Sequence, residues 1–307
     1  MHYTLHQLQI FLKIVENKSI TKAAESLNLT QPAVSIQLKK LQDQFDIPLT
    51  EVIGRQLYIT HFGNEIAITA QKVLDEVATI TYKSKTFKGI LSGKLTLSVV
   101  STGKYVMPYF LSDFLNQNKG IDLVMDVTNK SKVVKSLVNN EIDFALVSIL
   151  PDDIQLQSEI LLENKLYLIG NHTAVSKINN DDLDVINEYP LIYREEGSAT
   201  RLVMENYLYR NGLQSAKKMQ LTSNEAVKQA VIAGIGYSIM PIIGLKNELE
   251  RGDLKIIEMK GFPIKSNWYL VWLKNKSLSP VAEAYLSYIR DEKSKLKSAY
   301  FSWIDNY

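Results

Sequence analysis

Gln31, Ser35 and Lys39, with Pro32 among them, follow Thr30 at spacings that place them along one side of a short helix, with Gln37 and Lys40 flanking. The chemistry this set offers is recognition. A glutamine amide can make two hydrogen bonds to an adenine edge, a serine hydroxyl can bond a base or a phosphate, and lysines neutralise phosphates. A solvated polar helix face carries the same residue types, so the surrounding elements must decide. Groups for catalysis do not occur in working combinations. The histidines are His2, His6, His61 and His172; His2 and His6 stand four apart, but no cysteine or matched carboxylate accompanies them. No His–Ser–Asp constellation, no GxGxxG after a strand and no phosphate-loop motif is legible. Cysteine is absent, which removes disulfides, thiolate metal sites and thiol redox chemistry. The sequence predicts neither an enzyme nor a cofactor protein.

The 307 residues leave room for about two domains at roughly 150 residues each. With 46% hydrophobic and 22% charged residues the balance is that of a globular chain, which excludes a disordered or collagen-like one. A net charge of +2 neither requires nor excludes nucleic acid, because a binding patch can be local. Apolar runs stay well short of the roughly 18 residues of a membrane span. The first apolar stretch contains Lys13 and Glu16 and reads as an amphipathic helix, not a signal peptide. The expectation is a cytoplasmic protein with no membrane partner.

Three helices precede and carry the polar set. Thr4 with Gln7 fits a capping box, and Leu5, Leu8, Phe11, Leu12 and Val15 recur at helical spacing. Ser19 caps a second short helix in which Ala23 and Ala24 allow close approach, and Asn28 stops it. Thr30 caps the third, with Pro32 in its first turn and Val34, Leu38, Leu41 and Phe45 as its core stripe. Helix, three-residue turn, helix is the helix-turn-helix pattern. The first turns of the second such helix meet base edges in a major groove. A turn at Ile53-Gly54 and alternating residues from Arg55 to Thr60 then predict a strand hairpin, with Arg55 placed to reach a minor groove or a phosphate.

This run of about sixty residues resembles, without a gap, the winged helix-turn-helix of LysR-type transcriptional regulators. The chain departs from the family at five positions. Thr50 and Val52 replace the usual Phe and Arg, Ile36 a frequent Arg, and Gln42 and Asp46 the usual Glu and Gly. Residues 1–62 carry six Lys+Arg against five Asp+Glu, so affinity for DNA should depend on dimerisation and on few phosphate contacts. From Gly63 to Lys88, Ile66, Ala70, Val73, Val77, Ile80, Ser84 and Phe87 are spaced 4, 3, 4, 3, 4, 3, the a/d seam of a helix pair. An amphipathic helix packed on its own domain is the alternative. The resemblance implies a linker helix that pairs two DNA-binding domains on a pseudo-palindromic site. Gly89 to Gly93 is expected to break the helix as a hinge.

The remainder alternates strand and helix: strands at Leu95–Val100, Ile121–Val127, Phe144–Val147, Leu166–Gly170, Leu191–Tyr193 and Trp268–Leu273, with a final helix at Pro280–Lys293. Ser101, Thr102 and Ser148 fall at strand ends. Ser198 and Thr200 fall at a helix start, beside the fixed charge of Arg201. That is a sensible anion pocket, though plain helix capping with a surface arginine weighs equally. The aromatic tail beyond Lys295 reads as a helix docked on its own domain.

Residues 94–293 resemble the effector domain of the same family, a periplasmic-binding-protein-like (type II) α/β fold of two subdomains. The stretches REEGSATR and SNEAVKQAVIAGIGYSIMP are most similar to the branch with regulators of Calvin-cycle and sulfur-assimilation genes. The domains implied are a winged helix-turn-helix at 1–62, a linker at 63–93 and an effector domain at 94–307. Subdomain I takes 94–162 and 267–307, and subdomain II 163–266, with crossings near Leu161–Glu163 and Ser266–Trp268. The resemblance also implies a small, usually anionic metabolite held by Ser101, Thr102, Ser148, Ser198, Thr200, Arg201 and Ser223. It implies a homodimer or homotetramer, double-stranded DNA as partner, and RNA polymerase as a further one. Residues 94–307 carry 25 Lys+Arg and 25 Asp+Glu, so any preference for anions must be local. A solute-binding module from transport would explain this part alone and leave the first ninety residues idle.

Overall fold

A computed structural model describes residues 2–54, 56–86, 91–175, 190–213 and 217–307. The chain divides into two units, Met1–Ile90 and Leu91–Tyr307.

In the first unit, helices α1 (Leu5–Asn17), α2 (Ile20–Ser26) and α3 (Gln31–Gln42) precede a hairpin of β1 (Thr50–Ile53) and β2 (Gln56–Ile59). A long helix, α4 (His61–Thr86), follows. Each of the first three helices starts on a side-chain oxygen. Thr4 accepts from the Gln7 N–H while the Gln7 amide oxygen accepts from the Thr4 N–H, and Ser19 and Thr30 accept from Lys22 and Ala33. These bonds fix where the helices begin by satisfying donors that have no partner inside the helix. Lys18 and Asn28 take left-handed backbone (φ 49° and 53°) and close α1 and α2. Phe11, Ile14, Ala23, Val34, Leu41 and Leu49 form the fully buried core. A Cβ on Gly63 would lie 2.0 Å from the Leu49 carbonyl oxygen, so α4 can begin against that backbone only because residue 63 has no side chain.

The second unit opens with β3 (Ser92–Val100), α5 (Met107–Gln117), β4 (Gly120–Thr128), α6 (Lys130–Val138) and β5 (Phe144–Val147). Then come β6 (Leu156–Asn171), the single turn α7 (His172–Val175), β7 (Leu191–Arg194), α8 (Ala199–Arg210), β8 (Lys218–Leu221), α9 (Asn224–Ile232), β9 (Ser238–Pro241), α10 (Lys246–Arg251) and β10 (Leu254–Ile257). The unit closes with β11 (Ile264–Leu273) and α11 (Pro280–Phe301). The main sheet runs β10-β6-β11-β5-β3-β4, with β9 also paired to β6. Strands β4 and β5 lie parallel to β3, and β11 lies antiparallel to both β5 and β6. A small parallel pair, β7 and β8, lies beside β9, with the Ile192 N–H donating to the Tyr237 carbonyl.

Strands β6 and β11 are much longer than their apolar segments suggest. They pair from Leu156↔Leu273 to Leu166↔Ile264, and Leu162 faces Trp268 midway. One lobe packs α5, α6 and α11 around Phe110, Phe144, Trp268 and Tyr285. The other gathers Leu168, Tyr193, Met204 and Tyr237. Two sequence expectations need correction. Gly93 lies inside β3, paired with Ile121, and not in a hinge; Gly89 lies outside the described residues. The final helix does not stop near Lys293: α11 runs on to Phe301, so the aromatic tail continues it and docks on its own domain as expected. Leu296, Phe301 and Ile304 are buried, and Phe301 stacks on Phe110 at 5.7 Å. The buried Lys165 ammonium donates to the carbonyls of Ile304 and Tyr307, at 3.2 and 2.9 Å.

Candidate functional site

The first unit presents α3 with Val34, Leu38 and Leu41 turned inward. Thr30, Gln31, Pro32, Lys39 and Lys40 are exposed and Ser35 is half-buried. Gln37 is also half-buried and accepts a 3.2 Å hydrogen bond from the Gln7 amide, which braces α3 on α1. Two of the family departures meet each other: the Gln42 amide oxygen accepts from both the N–H and the hydroxyl of Thr50, at 3.2 and 3.0 Å. A glutamine at the end of α3 thereby takes up a donor at the start of the hairpin. Arg55 and Phe87 lie outside the described residues.

The α4 seam splits. Ala70 is buried in the core of its own unit and Ile66 packs against that core. Val73 and Ile80 are exposed, and with Val77, Thr69, Lys72 and Glu76 they line a shallow, mostly apolar depression.

In the second unit a small pocket, partly open to solvent, lies where four chain segments end. Val100 closes β3 and leads into Ser101 and Thr102. The parallel register Val100↔Thr128 sets Asn129 and Lys130, at the start of α6, beside them. Arg194 closes β7, and Ser198, Ala199 and Thr200 open α8. Ser198 occupies the cap position of α8 but makes no capping hydrogen bond, whereas Thr4, Ser19, Thr30, Asn129, Ser223 and Ser279 all cap their helices. The first N–H groups of α8 thus have no side-chain cap, and the residues that carry them line the pocket, where a helix start favours an anion.

Two cations line the walls. Arg194 is 4% exposed and grips Glu195 with two N–H groups, at 2.8 and 2.9 Å, out of the five a guanidinium carries. Burial pushes the Lys130 ammonium below its ordinary pKa, against the pull of Asp152.

Four of the seven expected pocket residues therefore come together: Ser101, Thr102, Ser198 and Thr200. Arg201 does not line the pocket. Its guanidinium bonds Glu205, Gln220 and the Arg194 carbonyl, so it braces the wall from behind. Ser223 caps α9 through the Ala226 N–H, and Ser148 is a buried residue just past β5 that is not on the wall. Sequence reading missed Asn129, Lys130 and Arg194. The signal for the first two was the end of a strand parallel and adjacent to the one ending at Val100. Among the described residues no cluster of metal-ligating side chains occurs.

Beside the pocket the two lobes touch. The Ser131 N–H donates to the Gly197 carbonyl at 3.4 Å, and the Tyr105 hydroxyl donates to Glu225 at 3.1 Å. Burial opposes ionisation of Glu225, but hydrogen bonds from Gln229, Lys228 and Tyr105 prevail and hold its carboxyl below the ordinary range. Lys228, itself buried, also bonds Glu248 at 2.7 Å.

Residues 5–64 match the family model described as "Bacterial regulatory helix-turn-helix protein, lysR family", and residues 88–294 match "LysR substrate binding domain". The chain belongs to the LysR family. It is 35% identical to the HTH-type transcriptional activator CmpR of Synechocystis sp., over 93% of this chain and 94% of that one. It is 34% identical to the RuBisCO operon transcriptional regulator of Allochromatium vinosum, over 96% and 98%. A solved structure of the Synechocystis PCC6803 CcmR regulatory domain in complex with 2-PG matches 66% of this chain and 98% of that one, at 33% identity and a TM-score of 0.62. Full-length CbnR complexed with its target DNA shares the fold at 18% identity and a TM-score of 0.69, over 94% and 99%. This LysR-type protein is thus a transcription regulator of the branch that includes RuBisCO operon regulators. The transport reading falls with that assignment.

Proposed function

We propose that this regulator reads a pseudo-palindromic DNA site through Gln31, Ser35 and Lys39 of α3, with Thr30, Pro32 and Lys40 beside them. It pairs through Val73, Val77 and Ile80 of α4 as a cytoplasmic homodimer or dimer of dimers. Its effector is a small organic anion bound between the lobes, and the starting candidate is 2-PG (2-phosphoglycolate), the molecule held by the CcmR regulatory domain. The observation that carries this reading is the meeting of two helix starts with Lys130 and Arg194 around Ser101, Thr102, Ser198 and Thr200. A carboxylate or phosphate would find N–H donors, hydroxyls and fixed positive charge in one place. The step from there to RNA polymerase rests on the family resemblance alone.

An effector shifts the balance of lobe arrangements only as far as it binds them differently. Contacts from both lobes supply that difference, because opening the cleft separates Ser101 and Lys130 from Ser198 and Thr200.

Two measurements test the reading. Footprinting of the full-length protein on the DNA upstream of its own gene, over a salt series, should protect a two-fold stretch with a steep salt slope. Ser35→Ala or Gln31→Ala should weaken that binding by about 1–3 kcal/mol, and unchanged affinity in both would remove α3 as the reader. Calorimetric titration with 2-PG and, separately, inorganic phosphate should show binding that Lys130→Gln weakens about tenfold or more, the loss of one charge-assisted hydrogen bond. Binding of neither anion, or binding indifferent to Lys130→Gln, would refute the pocket.

A further inference from the structure

Single apolar side chains on a protein surface are ordinary; what matters is where they stand. In α3 the inward Val34, Leu38 and Leu41 fix the opposite, outward side, and a turn of about 100° per residue puts Ile36 near its centre. Ile36 is 54% exposed. The exposed Pro32 stands one turn before it, and Ser35 and Lys39 flank it. Helix propensity gives no reason for it, since Lys, Gln or Arg all suit an exposed helix position better than a β-branched residue. Nor can its side chain donate to or accept from a base or a phosphate. One feature of a major groove does match it: the C5 methyl of thymine, the apolar group the base pairs display there. Gln31 and Ser35, on the adjoining side of α3 with Lys39 between them and Ile36, would supply hydrogen bonds, so an apolar contact beside them completes a mixed surface.

We infer that Ile36 reads a thymine methyl group in each half of the operator, and so sets the preference for thymine over cytosine at that position. The inference rests on α3 being the DNA-reading helix, as proposed above. A frequent arginine of the family is replaced here by a contact that carries no charge, which trades affinity from phosphate or guanine for discrimination by shape.

The test uses the full-length protein to enrich duplexes from a random library. Each thymine of the enriched site is then replaced singly by deoxyuridine, which removes the methyl group and nothing else. One position per half-site should lose about fourfold in affinity, the equivalent of ~0.8 kcal/mol for one buried CH2-sized group. Ile36→Ala, at a solvent-facing position, should bind the thymine site more weakly by a similar factor and no longer distinguish thymine from uracil there. Ile36→Arg should shift enrichment at that position toward guanine. If the parent protein tolerates every uracil replacement, or if Ile36→Ala keeps the parent's sensitivity, the inference is wrong while the assignment of α3 stands. If no duplex is enriched at all, the assignment of α3 fails and takes the inference with it.

Discussion

Lys130 is the residue whose surroundings say most about the pocket. Its ammonium is partly desolvated, which lowers its pKa and makes its charge easier to lose. An anion binds the protonated form. Affinity for 2-PG should therefore hold through neutral pH and fall as pH rises through the lowered Lys130 value, earlier than an ordinary lysine would allow. Titrations across alkaline pH should show this fall in the parent and not in Lys130→Gln. Arg201, by contrast, touches the Arg194 carbonyl, Gln220 and Glu205. Arg201→Ala should weaken 2-PG binding less than Lys130→Gln does, since it removes a brace and no contact. A larger loss in Arg201→Ala than in Lys130→Gln would place Arg201 in the pocket after all. Ser101, Thr102, Ser198 and Thr200 share one pocket as their positions in the sequence suggest, because strand ends and helix starts are local signals. The sequence hid Lys130, because only the parallel register of β3 with β4 puts residues 100 and 130 side by side. Arg201 lies off the pocket wall, because the direction a helix presents its third residue depends on what packs behind it.

At the scale of elements, caps and apolar periods were legible wherever the signal lies within one turn. Thr4, Ser19 and Thr30 start helices as expected, whereas Ser223, expected in the pocket, also caps a helix. Lengths were not. The first half of β6 mixes Gln157, Glu159 and Glu163 with apolar residues, so its pairing with β11 leaves little trace in composition. The reach of α11 depends on the surface that receives it, and one polar contact there can be weighed. Glu159 on β6 pairs with Lys293 and Arg290 on α11. Burial raises its carboxyl, but those two cations win and hold its pKa below the ordinary range. A depressed carboxylate contributes stability above its unfolded pKa and loses it as pH falls through the folded value. The contribution should be on the order of 1 kcal/mol, reduced by the partial exposure of both cations. Thermal melts of the parent and Glu159→Gln should differ near pH 7 and converge as pH falls below the ordinary carboxylate range. A constant difference at all pH values would assign the effect to packing.

For the whole molecule, hydrogen bonds join the lobes of the effector unit beside the pocket, Tyr105 to Glu225 and Ser131 to Gly197. Tyr105 belongs to the turn that carries Ser101 and Thr102, and its ring also lies against Gly244, where an added Cβ would come within 2.6 Å. Removing the hydroxyl leaves the ring in place and deletes one bond across the lobes. Tyr105→Phe should lower 2-PG affinity by a few-fold, about 0.5–1.5 kcal/mol, and leave binding to DNA without effector unchanged; an unaltered titration would show that this bond contributes nothing to closure. The Gly197 contact has a sharper consequence. Its backbone is left-handed (φ 80°), and a Cβ there would stand 2.5 Å from the Ser131 hydroxyl oxygen. The two lobes thus meet here with no room for a side chain on residue 197 as Ser131 now stands. On the proposed reading a methyl group at residue 197 would act as a doorstop: Gly197→Ala should weaken 2-PG binding while leaving DNA binding intact, and an unaltered 2-PG titration would show that the seam yields.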